Sequence, residues 1–391
     1  MKIAVIKERR PNEARVAISP DVVKRFKKLG FDVSIETEAG FGASITDQEF
    51  IDAGAEIVDD AASAVKNAKI LLKVQRPLSA EEGGVDEIAL LEPGMILVAT
   101  MQSLSNSDQA KKLAEANITV FAMELLPRIS RAQSMDVLSS QSSLAGYKAV
   151  LDACNEYTRA FPMMMTAAGT IPPARVLVLG AGVAGLQAIA TAKRLGAVVY
   201  AYDVRPAVKE QVESLGAKFV EVDAEAAVDA ETSGGYAKEM AEDYQAKQDK
   251  VLADVVAKND IVICTALIPG RPAPVLVTSE MVQKMKPGSV IVDLAVEQGG
   301  NCPLSEFGKV VEKHGVTLVG HANVPSRVAT DATAMYAKNL FNFIEPMVDA
   351  ENKVLNIDWE DELIIGSLVS RDGSIVHSLL SEDNSHGKEE K

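Results

Sequence analysis

Gly180-Ala181-Gly182-Val183-Ala184-Gly185 follows directly on Arg175-Val176-Leu177-Val178-Leu179, an apolar, β-rich run. A helix pattern, Leu186 to Leu195, comes next and stops at Gly196. Three glycines between a strand and a helix do no covalent chemistry; they hold an anion. Gly180 permits the tight turn, Gly182 leaves out a Cβ so that a pyrophosphate can approach, and Gly185 lets helix and strand lie close. The free N–H groups and dipole of the helix start favour negative charge there. A lone motif of this kind is weak, but here its strand and helix are both present.

The next strand, Val198 to Tyr202, ends at Asp203. A carboxylate about twenty residues beyond the glycines accepts the hydroxyls of an adenosine ribose, while a 2′-phosphate would meet like charge. NAD(H) is therefore expected rather than NADP(H). Arg205 complicates this exclusion, which holds best if that side chain points to solvent. Thr265, Ala266 and Leu267 follow the strand Asp260 to Cys264, at a carboxyl end where open α/β sheets bind ligands. They read either as a wall of small residues beside the ligand or as an ordinary strand exit.

The elements that must position these residues alternate along the whole chain. Lys2 to Ile6, Phe31 to Ile35, Ile70 to Val74, Met95 to Ala99 and Thr119 to Met123 read as strands of a first series. Ser19 and Pro20 open a helix there as N-cap and first residue, and Gly30 stops it. After Pro172-Pro173 a second series adds Val176 to Leu179, Val198 to Tyr202, Lys218 to Val220, Asp260 to Cys264, Ser289 to Asp293 and Val316 to Val319. Helical stretches are expected at Ser140 to Phe161 and Ala332 to Val348. The fold class is α/β, two Rossmann-like parallel-sheet domains separated by a cleft and joined by long helices. The first is expected over residues 1–143 plus 327–391, and the second over 144–326. Thr232 to Lys250 reads as an inserted loop, either a lid or a linker. Met163-Met164-Met165 reads as soft core packing.

The chain has 391 residues, 47% of them hydrophobic, with 40 basic against 55 acidic side chains and a net charge of −15. Such a balance argues against non-specific nucleic-acid binding, which needs a basic face. Cys154, Cys264 and Cys302 form neither a disulfide framework nor a zinc pattern, and His314, His321, His377 and His386 form no ligand group. No metal is expected. The N-terminus has no secretory h-region, and no apolar run has the ~20 residues of a membrane span. A cytoplasmic location is the expectation.

Lys7 to Arg10 and Glu13 to Pro20 resemble the family shared by alanine dehydrogenase and proton-translocating nicotinamide nucleotide transhydrogenase. Pro127 to Asp136, Phe161 to Thr170 and Gly234 to Met240 resemble the transhydrogenase branch in particular, and the likeness runs through essentially the whole chain. It implies the NAD(H)-binding component, domain I, with Arg128, Gln133, Asp136 and Ser139 in a loop beside the nicotinamide. It also implies that Gly235, Tyr236 and Met240 belong to a mobile loop closing over the nucleotide, and that Val204 and Arg205 join Asp203 at the adenosine end. Thr265, Ala266 and Leu267 would form the opposite wall. On spacing alone Arg128, Gln133 and Asp136 read equally as a hydrogen-bonded hinge.

In the dehydrogenase branch a catalytic His follows the strand that here is Met95 to Ala99. This chain reads Thr100-Met101-Gln102-Ser103-Leu104 and has no His before His314. Oxidation of an amino acid needs a group to take the departing proton; hydride passing directly between two nicotinamides does not. Arg15 and Lys73, at positions matching that branch's substrate-carboxylate ligands, read as inherited structural charges.

The resemblance thus implies a homodimer whose NADH passes hydride to NADP+ on a partner subunit, coupled to proton translocation by separate membrane subunits. The chain, ending in a charged tail at Lys391, is expected to be the separate alpha-1 type subunit, peripheral on the cytoplasmic face of the inner membrane. An alanine dehydrogenase-like enzyme and a non-catalytic NAD-binding module are the alternatives.

Overall fold

The computed structural model describes residues 1–222, 242–268 and 270–380, with residues 242–246 described by backbone alone. The chain divides into two compact units, Met1–Gln141 with Ser326–Lys391, and Ser142–Pro325.

The first unit is built on an eight-stranded sheet. Its order from edge to edge is Ser374–Ile375, Leu368–Arg371, Thr119–Ala122, Ile96–Thr100, Ile70–Gln75, Lys2–Val5, Asp32–Glu36 and Glu56–Val58. Neighbours from Thr119–Ala122 onward are parallel, and only the two C-terminal strands pair antiparallel. Alternate residues of the central strands feed opposite faces, Ile3 and Val5 one core, Ala4 and Ile6 the other. Both faces are buried, which is why these strands read as nearly unbroken apolar runs. Ser19 caps the helix Pro20–Lys28 as its sequence suggests, accepting the Val22 N–H at 3.4 Å. Phe26 on that helix packs on Phe341 of the helix Ala329–Ile344, with ring centroids 5.0 Å apart.

The second unit carries a seven-stranded sheet in the order Lys218–Phe219, Val198–Tyr202, Arg175–Leu179, Ile261–Cys264, Val290–Asp293, Val316–Gly320 and Lys309–Lys313. All neighbours are parallel except the last pair. Val176, Val178, Ile261 and Ile263 pack with Ala188, Ile189 and Ala192 on one face. Leu177, Leu179, Val262 and Ile291 pack with Leu252 and Val256 on the other.

Four local expectations are corrected. The helix expected from Ser140 runs Val137–Glu156 and stops short of Phe161, whose carbonyl instead accepts the Ala174 N–H at 2.9 Å and closes the base of a hairpin. That hairpin pairs Met164–Thr166 with Gly169–Ile171, and its turn is fastened by Thr166, whose hydroxyl accepts the Ala168 N–H and donates to the Gly169 carbonyl. The three methionines therefore stand in solvent, Met165 at 77% exposure, rather than in a core.

The helix expected from Ala332 begins at Ala329 and ends at Ile344. Within Thr232 to Lys250, residues from Glu242 onward belong to the helix Glu242–Lys258, and Thr232 to Ala241 lie outside the described residues. Gln248, Leu252 and Val256, four residues apart on one helix face, are buried, and Gln248 accepts a hydrogen bond from the Tyr202 hydroxyl. Among the described residues no helix is long and apolar enough to cross a membrane.

Candidate dinucleotide site

In the second unit three strand ends lie level. Leu179 is in register with Tyr202 on one side and with Cys264 on the other. The residues that follow them, Gly180, Asp203 and Thr265, therefore share one carboxyl edge. Strand order reverses between Arg175–Leu179 and Ile261–Cys264, so this edge is the switch point where open α/β sheets leave a crevice.

The glycine turn divides into structural and open positions. Gly180 has φ +94, and its N–H donates to the Tyr202 carbonyl at 2.8 Å. A Cβ on Gly185 would fall 1.8 Å from the Gly180 carbonyl oxygen, an overlap no side chain survives. A Cβ on Gly182 would meet nothing within 4 Å. Gly182 is the N-cap of the helix Val183–Arg194 and offers no side chain to the first N–H groups. An open cradle and an uncapped helix start fit a pyrophosphate. Ala181 is buried, Ala184 half-buried and Val183 exposed. Gly146, on the helix Val137–Glu156, lets that helix lie against the turn: its Cβ would sit 2.0 Å from the Ala184 carbonyl oxygen.

Asp203 lies at this edge, 8% exposed and fully engaged. Its Oδ2 accepts the Ala181 N–H at 2.7 Å and the Arg205 Nη2 at 2.8 Å. Its Oδ1 accepts the Arg205 backbone N–H and Nε, each at 2.9 Å. Arg205 thus does not point to solvent: burial beside a carboxylate keeps the guanidinium folded back on Asp203. Val204 between them is half-buried against the core.

Thr265 donates from its hydroxyl to the Gly180 carbonyl at 2.8 Å, tying the glycine turn to the neighbouring strand end. Ala266 and Leu267 are shaped by residues that sequence reasoning missed. The Asn301 amide accepts the Ala266 N–H at 3.0 Å and donates to the carbonyls of Ala266 and Pro274 at 2.9 and 2.8 Å. Asp293, fully buried, in turn accepts the N–H groups of Ala295, Asn301 and Cys302. The one signal pointing to Asp293 was its place as the acidic end of an apolar strand. Burial pushes the Cys264 thiol well above its ordinary pKa, which leaves it a packing group.

In the first unit, Arg128 and Gln133 are exposed and Asp136 and Ser139 half-buried. Asp136 accepts the Ser139 N–H at 2.9 Å and its hydroxyl, so the pair caps the helix Val137–Glu156. The turn Ser130–Met135 is held by Asn339 and Asn342, whose amides both donate to the Ser134 carbonyl at 2.9 Å. Arg131 anchors it through a two-pronged pair with Asp361 at 2.6 and 2.7 Å. A recess of about 200 Å³ beside that pair, lined by Met135, Phe343, Met347 and Leu363 among others, contains none of the nucleotide-turn residues.

Arg15 and Lys73 are buried and neutralised. Arg15 donates to both oxygens of Glu13 at 2.7 Å and to the Gln141 amide oxygen at 2.8 Å. Lys73, 1% exposed, lies 3.2 Å from Glu8 and 3.1 Å from Glu87. Burial raises the Glu8 pKa above the usual carboxylate value, with Lys73 pulling the other way. Gly235, Tyr236 and Met240 lie outside the described residues.

Fold and turn together define a two-unit α/β protein with a dinucleotide-type crevice in its second unit. Residues 4–145 match the alanine dehydrogenase/PNT N-terminal domain and residues 149–378 the corresponding C-terminal domain. A Rhodospirillum rubrum protein, the first of the separate pieces of NAD(P) transhydrogenase subunit alpha, is 63% identical over 381 residues, covering 97% of this chain and 99% of that protein. The crystal structure of transhydrogenase from Sinorhizobium meliloti is similar with a TM-score of 0.86 at 52% identity, covering 96% of this chain and all of that one. L-alanine dehydrogenase is similar with a TM-score of 0.79 at 25% identity, covering 97% of this chain and 98% of that one. The chain belongs to the alanine dehydrogenase/PNT family, on its transhydrogenase side.

Proposed function

We propose that this chain is the NAD(H)-binding component of a proton-translocating, Re/Si-specific NAD(P) transhydrogenase. Hydride passes from C4 of NADH on this chain to C4 of NADP+ on a partner subunit, and no proton is exchanged in that step. The observation carrying this reading is the state of the first unit. Arg15 is held by Glu13 and Lys73 by Glu8 and Glu87, while residues 100–104 supply no His. A second substrate with a carboxylate to bind and a proton to lose finds neither receptor nor base there.

The chain's own residues do the binding and orienting. Gly180 to Gly185 receive the pyrophosphate, and Asp203, Val204 and Arg205 receive the adenosine end. Arg128 and Gln133 donate to the carboxamide and hold the ring, with Asp136 and Ser139 fixing the loop. Thr265, Ala266 and Leu267 form the opposing wall, and Gly235, Tyr236 and Met240 close over the nucleotide and exclude water. Membrane subunits couple transfer to proton movement, and the chain is peripheral on the cytoplasmic face through them.

A homodimer belongs to the same reading. The segment from Ala160 to Ala174 has no charged residue, and its hairpin is exposed. Two chains of net charge −15 meet most easily where neither carries charge.

Mixing the purified chain with an NADP(H)-binding transhydrogenase component tests the whole. Reduction of an NADP+ analogue at the expense of NADH is expected. Turnover of L-alanine with NAD+ by this chain alone would establish the dehydrogenase reading instead.

A further inference from the structure

The Asp203 carboxylate is the usual reason given for rejecting a 2′-phosphate, by like charge. Here that charge is already balanced. The Arg205 guanidinium sits on it through Nε at 2.9 Å and Nη2 at 2.8 Å, and the Arg205 backbone N–H adds a third bond. With Ala181 included, the two carboxylate oxygens accept four hydrogen bonds. A pair of zero net charge repels an incoming phosphate weakly. Its cation, only 14% exposed as a side chain, is moreover the group best shaped to bind one.

We propose that Arg205 is a latent 2′-phosphate receptor held out of use by Asp203, and that this engagement sets the preference for NAD(H). The inference rests on the reading of this turn as a dinucleotide site. A 2′-phosphorylated dinucleotide could recruit Arg205 only by taking it from Asp203, leaving a carboxylate that is 8% exposed without its cation. An unphosphorylated ribose asks less. Its hydroxyls replace individual guanidinium bonds on Asp203, and Arg205 need only pivot while it stays close to the same carboxylate. Exclusion of the phosphate is then a competition for one guanidinium.

Four variants resolve this by direct binding of NADH and NADPH at fixed ionic strength. Asp203→Asn keeps an oxygen for the Ala181 N–H but gives up its charge, so Arg205 is released. NADPH should then bind about tenfold more tightly than to wild type, the scale of a two-pronged guanidinium–phosphate contact. Asp203→Asn combined with Arg205→Ala should return NADPH to the wild-type affinity. Arg205→Ala alone should not improve NADPH binding, because the bare carboxylate then repels it.

The proposal is overturned if the double variant keeps the gain, since loss of repulsion would then suffice. It is equally overturned if Asp203→Asn binds NADH or 5′-AMP yet gains nothing for NADPH or 2′,5′-ADP. Thermal unfolding reports whether each variant folds, and Asp203→Ser serves as the uncharged variant if Asn does not. Absence of NADH binding by the wild type would instead refute the dinucleotide reading itself, so the two failures are distinct.

Discussion

Replacing Gly182 and Gly185 one at a time by Ala separates what the turn does for the fold from what it does for a ligand. At Gly185 the added Cβ lies 1.8 Å from the Gly180 carbonyl oxygen and 3.2 Å from the Thr265 hydroxyl. Backbone rather than a flexible side chain must move, and overpacking of that kind costs about 3 kcal/mol or more. At Gly182 the backbone is extended, φ −77 and ψ −166, and the new methyl meets nothing within 4 Å. Losing a favourable N-cap costs a few tenths to about 1 kcal/mol. Reduced freedom of the unfolded chain returns about 0.4–1 kcal/mol. Net stability should therefore stay within about 1 kcal/mol of wild type. The same methyl occupies the space assigned to the pyrophosphate, and NADH affinity should fall at least tenfold, about 1.4 kcal/mol. Denaturant unfolding and calorimetric NADH titration measure the two quantities independently. Gly182→Ala destabilising as strongly as Gly185→Ala, or binding NADH as wild type does, would refute the division.

Three further outcomes are expected. Asn301→Ala removes one acceptor and two donors that shape Ala266, and should lower stability by about 1–3 kcal/mol. NADH binding should weaken with it, and unchanged binding would detach this loop from the site. Burial holds the folded-state pKa of Glu8 above its unfolded value, so its protonated form is favoured in the folded protein. Stability from this group is full below the unfolded value of about 4.5 and declines as pH rises through the raised folded value. Glu8→Gln should flatten the unfolding midpoint against pH in that window, and parallel curves for the two proteins would contradict it. Gln133→Asn should slow hydride transfer in the reconstituted system more than it weakens NADH binding, since Gln133 is assigned to placing the ring. Equal losses would argue for a purely binding role.

The repeating order of strands and helices was readable because strands buried on both faces must be apolar along their length, as Val176 to Leu179 and Ile261 to Cys264 are. Ser19 and Pro20 announced their helix through local bonds within four residues, and the glycine turn through its immediate neighbours. Fates decided by distant partners were not readable. The methionine triplet has core composition, yet a turn closed by Thr166 carries it into solvent. The helix Glu242–Lys258 was hidden because its apolar face shows only at Gln248, Leu252 and Val256.

Sequence alone determined a parallel α/β chain with an anion-holding turn and an acidic strand end beyond it, since periodicity and turn chemistry are local properties. Tertiary structure alone decided that Asp203 and Arg205 neutralise each other and that Glu13, Glu8 and Glu87 occupy Arg15 and Lys73. It alone brought Asn301 and Asp293 behind Ala266. Whether a buried charge is available depends on which opposite charge the fold brings within hydrogen-bond reach, and residues far apart in the chain carry no local sign of that meeting.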